Sequence, residues 1–312
     1  MLSVPDDCSG LRLDRALVSL LPEYSRTRLA QWIRAGRVTV NGRAGFPSQK
    51  VWTGEAIVVI PSADPAAAAH QAEAIPLDIV FEDEALMVVN KPAGLVVHPG
   101  SGNWQGTMLN ALLAHAPALA GLPRAGIVHR LDKDTSGLLV VARTSTSRTD
   151  LVRQLQARSV RREYLAVVQG RIARDGKIEA PIGRHPVKRT RMAVTARGKE
   201  AVTHYQVLER YDSATLLRCR LETGRTHQIR VHLSALGHPL LGDPAYGNRG
   251  SIVFPRQALH AERLALVHPL TRLTMSWQAP LPADMRELIA TLRGALSASH
   301  RSPVTGRRSR RS

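Results

Sequence analysis

The composition of the chain narrows its function before any motif is considered. Its 312 residues carry a formal net charge of +18 and are 44% hydrophobic. These values exclude a disordered chain and favour a globular protein with a polyanionic partner, nucleic acid being the first candidate. The two cysteines, Cys8 and Cys219, are far apart and lack CxxC spacing, so neither a disulfide framework nor a zinc site is indicated. Without a signal-peptide pattern or a membrane-length apolar run, the chain is expected to be cytoplasmic and to avoid membranes.

The first 60 residues are expected to form a small unit of helices and strands. Helical spacing of apolar residues, an N-cap at Ser25, a terminating Gly36 and an Asn41-Gly42 turn mark its elements. They are predicted as helices at 11–21 and 25–36 and strands at 38–40 and 55–60. Five arginines cluster around the second helix and the turn, where they form either a solvated face or an RNA-binding surface: Arg26, Arg28, Arg34, Arg37 and Arg43.

The remainder of the chain divides by composition. Residues 61–76 are rich in Ala and Pro without apolar periodicity, which is typical of a linker. Residues 297–312 are Arg-rich and poor in apolar residues, so a disordered basic tail is predicted. Between them, residues 77–296 are expected to form a large domain. Its predicted elements are a hairpin at 79–91, helices at 107–115, 147–157 and 226–236, and strands at 138–142, 164–168, 201–208 and 214–221.

Strands and helices in this large domain do not alternate regularly. That order favours an α+β fold with a central mixed, largely antiparallel sheet. Its most informative stretch runs from Gly126 to Arg143, where polar residues precede the buried-strand pattern of Leu138 to Ala142. Reactive side chains are commonly held on such a loop beside a rigid element.

Asp132 is the candidate for chemistry in this loop, although a lone Asp near a turn is more often structural. It could be a nucleophile, a general base, a metal ligand or a turn former. The DxDx[TV] pattern of aspartyl phosphatases fails because Ser136 stands where Thr or Val is needed. No histidine spacing supports a metal site, since His227 and His232 are five residues apart rather than four.

Several strings read together resemble a known family. They are KPAGLVVHPGSG at 91–102, HRLDKDTSG at 129–137, REYLAVVQG at 162–170 and LETGRTHQIRVHLSALGHPLLGD at 221–243. In this order they are similar to the motifs of the RluA-type RNA pseudouridine synthases, most of all the subgroup that acts on 23S ribosomal RNA. Residues 11–60 also resemble the S4 RNA-binding module, an α/β unit, with Glu55 in TGEAIVV where that module usually has Gly-Asp.

The resemblance implies an isomerisation that needs no cofactor and no metal. The N1 glycosidic bond of a uridine is broken, the base rotates, and the base is rejoined to the ribose through C5. Asp132 would be the essential group, acting either as nucleophile or as base on the sugar. Arg225 would keep Asp132 ionised in a partly apolar pocket, or else contact a phosphate. Tyr164 would stack on the flipped uracil, and Arg130 would fill the vacated space in the RNA or contact a phosphate.

The resemblance also implies the partner. We expect a monomer that binds large-subunit ribosomal RNA, either free or in an assembling particle. Other classes remain open at this point: a synthase acting on transfer RNA or on both RNAs, a hydrolase using Asp132, and a non-catalytic RNA-binding protein of ribosome assembly. The combination of Asp132, Tyr164 and Arg225 favours an enzyme over the last of these.

Overall fold

The computed structural model describes residues 1–61, 70–100, 103–247 and 252–299. The chain forms two compact units, Met1–Ala67 and Ala68–Ser312. No helix in the described part of the chain is long and apolar enough to span a membrane.

The N-terminal unit packs two helices on a small antiparallel sheet. Helices α1 (Leu13–Leu20) and α2 (Arg26–Arg34) bury their apolar faces with residues of the strands in one cluster. The Ser25 hydroxyl accepts the backbone N–H of Arg28, so the predicted N-cap is confirmed. The strands, in sheet order β1, β4, β2, β3, are β1 Leu2–Ser3, β2 Val38–Val40, β3 Arg43–Ala44 and β4 Ala56–Val59.

The C-terminal unit contains eleven strands and four α-helices among its described residues. The strands are β5 Ile79–Glu82, β6 Leu86–Lys91, β7 Ser136–Ala142, β8 Arg161–Gln169, β9 Gly176–Glu179, β10 Ile182–Arg184, β11 Met192–Val194, β12 Val202–Arg210, β13 Ala214–Leu221, β14 Leu259–Val267 and β15 Thr274–Gln278. The helices are α3 Met108–His115, α4 Ser145–Gln156, α5 Gln228–Ala235 and α6 Ala283–Ser299. Short 3-10 turns lie at Asp6–Cys8, Pro117–Gly121 and Pro123–Gly126.

Nine of these strands form one sheet, which confirms the predicted α+β class. Its order is β5, β6, β7, β14, β8, β13, β12, β9, with β15 paired to β14. All neighbours are antiparallel except β7 and β14, which run parallel. Strand β7 is buried at every position, as its unbroken apolar run predicts. The sheet is therefore mixed and largely antiparallel.

Helices cover both faces of this sheet. The largest apolar cluster includes residues of α3, α5 and the 3-10 turns on one face. On the other face, α4 packs against β7 and β14, and α6 packs against the region of β8 and β13. The loop before β7 and the start of α5 thus meet at the first face, next to the centre of the sheet.

Two predicted boundaries need correction. Residues 62–69 of the predicted linker lie outside the described residues, but its last part packs on the C-terminal unit. Glu73 accepts the backbone N–H of Gly106 at 3.0 Å, and the carbonyl of Gln71 accepts the Asn110 amide at 2.7 Å. At the other end, helix α6 continues to Ser299, so residues 297–299 are helical, because composition and pattern locate the ends of elements less well than the elements themselves. The predicted tail beyond them lies outside the described residues.

Candidate active site

The loop that carries Asp132 is held to the end of β6 by the side chain of a buried lysine. The Nζ of Lys91 is buried and donates to three carbonyl oxygens, those of Lys133, Pro92 and Leu95, at 2.8, 2.8 and 2.9 Å. Burial lowers the pKa of Lys91 to about 7. The ammonium ties the end of β6 to the residue after Asp132.

A glycine lets this loop enter the sheet. Gly137 has φ +110, and a Cβ at this position would lie 2.2 Å from the carbonyl oxygen of Ala261 on the parallel strand β14. Only glycine permits this approach of two backbones. The loop of Asp132 thus joins the sheet where β7 and β14 run side by side.

Asp132 forms an ion pair with Arg230, a residue in the first turns of helix α5. The Nη1 of Arg230 lies 2.9 Å from Oδ2 of Asp132, while its Nε and Nη2 donate to Asp243 at 2.8 and 2.9 Å. The Asp243 side chain is fully buried and also accepts the backbone N–H groups of Ala245 and Tyr246. One guanidinium therefore bridges a buried carboxylate and a carboxylate that is 16% exposed.

The charges of this network stabilise one another. Burial would raise the pKa of Asp243, but the Arg230 guanidinium and the two backbone donors hold it below its ordinary value. Burial likewise opposes the charge of Arg230, yet the two carboxylates raise its pKa further above the ordinary value. Arg230 is thus a permanent cation that orients Oδ2 of Asp132.

The second oxygen of Asp132 faces a histidine. Nε2 of His227 lies 3.8 Å from Oδ1, and Nδ1 of the same ring lies 2.9 Å from the Tyr246 hydroxyl. That hydroxyl accepts the backbone N–H of Met192, so its own hydrogen is free to be donated to Nδ1, which leaves the hydrogen of the neutral ring on Nε2. Burial lowers the pKa of His227, although Asp132 opposes the shift. His227 has φ +57, a costly backbone conformation of the kind that occurs at functional sites.

A cavity of about 560 Å³ opens over Asp132. Tyr164, on β8, lines it and is 5% exposed. Burial raises the pKa of Tyr164, so the phenol is protonated at neutral pH. Asp132 brings a negative charge to the cavity, and Ile127, Leu131 and Leu259 form an apolar wall. A cavity of this kind suits a planar heterocycle that lies beside the carboxylate.

Basic side chains line the opening of this cavity. Arg130 is exposed there, and Arg124 and His98 lie nearby. Burial and the positive charges of Arg124 and Arg130 lower the pKa of His98 to about 4. His129 accepts the backbone N–H of Val140 at 3.1 Å and so fixes the loop to β7. The opening thus offers cations at the surface and a fixed backbone below.

The structure brings Asp132 and Tyr164 to one cavity, but it contradicts the predicted pairing of Asp132 with Arg225. Arg225 lies at the rim of the same cavity, where its Nε donates to the carbonyl of Glu200 at 2.9 Å. It precedes helix α5, whereas Arg230 lies within the helix on its buried side. The cation beside Asp132 is therefore Arg230.

The five arginines predicted as RNA contacts lie in the N-terminal unit and behave differently. Arg34, Arg37 and Arg43 are exposed; Arg26 is exposed as well but pairs with Asp14 at 2.9 Å. Arg28 lies over the rings of Tyr24 and Trp32, 5.2 and 5.1 Å from their centroids. The first three are the more accessible to an external anion.

Sequence reasoning missed Arg230, Asp243, His227 and Tyr246. One signal was present in the string HQIRVH, where Arg230 stands between Ile229 and Val231 in an apolar helix. A charged residue so placed is rarely buried without a partner. Asp243 and Tyr246 are brought to it by the chain after α5, which no local pattern indicates. Among the described residues, no group of three or more acidic, His or Cys side chains could hold a metal ion.

Comparison with known proteins identifies the class to which this site belongs. The family model for RNA pseudouridylate synthase matches residues 85–235, and the model for the S4 domain matches residues 11–51. The chain belongs to the RNA pseudouridine synthase family, whose enzymes are isomerases that act on RNA.

Individual relatives narrow the comparison. The chain is 56% identical to ribosomal large subunit pseudouridine synthase D of Nitrosomonas europaea, over 97% of this chain and 90% of the relative. It is 53% identical to the protein of the same name from Pseudomonas aeruginosa, over 93% and 94%. Among solved structures, human RNA pseudouridylate synthase domain containing 1 matches with a TM-score of 0.54 and 27% identity, over 75% and 98%. The similarity to these relatives does not support two of the alternatives left open by the sequence, a hydrolase that uses Asp132 and a non-catalytic RNA-binding protein.

Proposed function

We propose that this protein isomerises specific uridines of 23S ribosomal RNA, the RNA of the large subunit, to pseudouridine. The observation that carries the proposal is the carboxylate of Asp132, held by Arg230 at the floor of a cavity that Tyr164 also lines. The names of the relatives, ribosomal large subunit pseudouridine synthase D, support the choice of RNA.

Asp132 is the group that begins the reaction. Its Oδ2 is occupied by Arg230, while Oδ1 lies 3.8 Å from the His227 ring, and Asp132 lines the cavity. An ionised carboxylate oxygen in this position can attack C1′ of the nucleotide or remove a proton from the ribose. If Asp132 attacks, the N1–C1′ bond breaks as the ester to C1′ forms, the uracil turns, and C5 bonds to C1′ as the ester bond breaks and restores the carboxylate. If Asp132 removes a ribose proton, the uracil leaves from N1, turns and bonds through C5 to C1′ while that proton returns to the ribose. In both routes the C5 hydrogen leaves as a proton and N1 takes up a proton.

The uracil must leave the helix stack to reach Asp132, at a cost of about a few kcal/mol. Arg130 stands exposed at the opening and can occupy the space that the base leaves. Tyr164 then packs against the uracil, and its hydroxyl is available for proton transfer at C5. Arg225 at the rim contacts a phosphate of the substrate.

RNA is held by both units. In the S4-like unit, phosphates of the RNA are contacted by five arginines: the exposed Arg34, Arg37 and Arg43, together with Arg26 and Arg28. The protein acts in the cytoplasm as a monomer, on free ribosomal RNA or on an assembling large subunit. Neither a cofactor nor a metal takes part.

The test compares two isosteric substitutions in the same loop. Replacement of the C5 hydrogen releases tritium from RNA that contains uridine tritiated at C5. We expect Asp132→Asn to abolish tritium release and to bind RNA nearly as the wild type does, because one charge among many is lost. Asp134→Asn, the matched control, retains release. Release by Asp132→Asn at the control rate would refute the assignment.

The RNA itself is tested in cells. Pseudouridines are mapped in ribosomal and transfer RNA from cells with and without this gene product. Without it, we expect pseudouridines to be lost only from large-subunit ribosomal RNA. Loss confined to transfer RNA would overturn the proposed substrate and leave the chemistry intact.

A further inference from the structure

Four arginines converge on the face of the large sheet opposite Tyr164. We call Arg161, Arg218, Arg220 and Arg263 the arginine cluster. Tyr164 on β8 lines the active-site cavity. Because successive side chains of a strand point to opposite faces of a sheet, its neighbour Glu163 lies on the other face. Arg220 on β13 and Arg263 on β14 are the register partners of Glu163 on either side. The cluster therefore surrounds one glutamate.

Glu163 and Glu262 are buried on this face, whereas the arginine side chains are exposed or, in the case of Arg218, partly exposed. Glu163 and Glu262 have side chains only 5% and 9% exposed, whereas those of Arg161 and Arg263 are 66% and 43% exposed. Arg161 pairs with Glu163 at 2.6 Å, and Arg218 reaches Glu262 at 3.4 Å. Buried acceptors of this kind orient the guanidiniums of Arg161 and Arg263, whose side chains remain open to solvent.

Positive charge remains in excess on this face. Three guanidiniums, those of Arg161, Arg218 and Arg263, share two carboxylates, and Arg220, which is exposed, has no ion-pair partner among the residues that the structure describes. Like charges on neighbouring strand positions destabilise a sheet. An external polyanion would offset that cost.

Surface hollows connect the arginine cluster with the active site. A hollow of about 310 Å³ shares Arg158 and Glu222 with the active-site cavity. A further hollow of about 300 Å³ shares Arg161 and Arg220 with the first hollow. Consecutive hollows adjoin, so a furrow leads from the active site around the start of β8 to the cluster.

We propose that the arginine cluster binds phosphates of the RNA strand that flanks the target uridine, guided there by this furrow. The proposal rests on the proposed function, since it requires RNA in the active-site cavity. RNA is favoured over an acidic protein because the furrow begins at the cavity that would receive the base. Single strands are held in this way by positively charged grooves that follow the backbone.

The experiment measures how RNA affinity depends on salt in the full-length protein. The probe is a transcript of large-subunit ribosomal RNA, and the variant is Arg220→Gln with Arg263→Gln. The log of the RNA association constant falls as log salt rises, and we expect the steepness of this slope to decrease by about 1.4–1.8 in the variant. Its affinity at physiological salt should be roughly 10–20-fold lower than that of the wild type. Tritium release at saturating RNA should keep its kcat, with KM raised.

Matched variants separate this effect from general loss of charge. Arg171→Gln with Arg286→Gln removes two exposed guanidiniums that have no ion pair in the described parts of the chain, and it should change the slope much less. Arg220→Lys with Arg263→Lys keeps the charge and should recover most of the affinity. A thermal midpoint like that of the wild type shows that each variant folds.

The outcomes distinguish the two proposals. If the wild type releases tritium from the transcript but the cluster variant matches the Arg171 and Arg286 control, the cluster does not bind RNA and serves another partner, such as an acidic protein. If the wild type releases no tritium from this transcript or from assembling large subunits, the proposed substrate fails, whereas a slope change confined to the cluster variant would still support the phosphate contacts.

Discussion

Arg230→Gln is the substitution that tests the centre of the site. It removes three short hydrogen bonds to two carboxylates and leaves Asp243, whose side chain is fully buried, without its cation. Breaking a buried ion pair on one side costs about 3–5 kcal/mol of unfolding free energy. Loss of the charge-assisted bond to Asp132, worth about 1.5–3 kcal/mol, lowers kcat by about 10- to 160-fold.

A second variant separates stability from catalysis. Arg230→Gln combined with Asp243→Asn removes both buried charges, and the Asn amide oxygen can still accept the backbone N–H of Ala245. We expect the double variant to recover most of the unfolding free energy in urea titrations but little of the kcat. Tritium release at saturating RNA and equilibrium unfolding of the same preparations provide the two readouts.

Arg225→Gln is the matched control. It lies five residues away and loses a bond to the Glu200 carbonyl at a partly exposed position, so unfolding free energy should change by less than about 1 kcal/mol. We expect KM to rise and kcat to stay. If Arg225→Gln reduces kcat as strongly as Arg230→Gln while both remain folded, the reasoning about Arg230 is refuted.

Three further predictions concern the support of the site. Lys91→Met removes a buried donor from three partly buried carbonyl contacts, so we expect a loss of about 2–4 kcal/mol in urea unfolding. Tyr246→Phe takes away the partner of His227 Nδ1 and frees the tautomer; kcat should fall several-fold, and its pH profile should shift while stability changes by about 1 kcal/mol. Acid should destabilise the fold, because a histidine whose pKa is lowered by folding binds a proton more readily in the unfolded chain. The unfolding free energy should therefore fall from pH 6.5 towards pH 4, the pKa of His98. Each such histidine contributes a fall of at most about 1.4 kcal/mol per pH unit. The histidines whose pKa is lowered are His98, His129, His227, His232 and His260.

Each of these has a clear opposing result. Unchanged unfolding of Lys91→Met would mean that the carbonyls find other donors. A pH profile of Tyr246→Phe identical to that of the wild type would remove His227 from the reaction. Unfolding free energy that is level between pH 6.5 and pH 4 would show that these histidines are not held neutral.

Local sequence determined most of the framework. The buried strand β7, the N-cap of α2 and the hairpin of β5 and β6 follow from periodicity, capping and turn chemistry, which act over a few residues. The basic composition likewise indicated a polyanionic partner without reference to any contact. Asp132 was singled out because a polar loop precedes an apolar strand.

Tertiary structure alone decided which groups act on Asp132. Arg225 and Arg230 occur in one string, and only the start of α5 between them determines that Arg230 turns inward. Asp243 and Tyr246 reach the site after the chain has left α5, where Asp243 binds Arg230 and Tyr246 binds His227, a residue with positive φ. Local patterns report which residues are apolar or turn-forming, but they do not specify partners across about a hundred residues, because those depend on how the whole sheet and its helices pack.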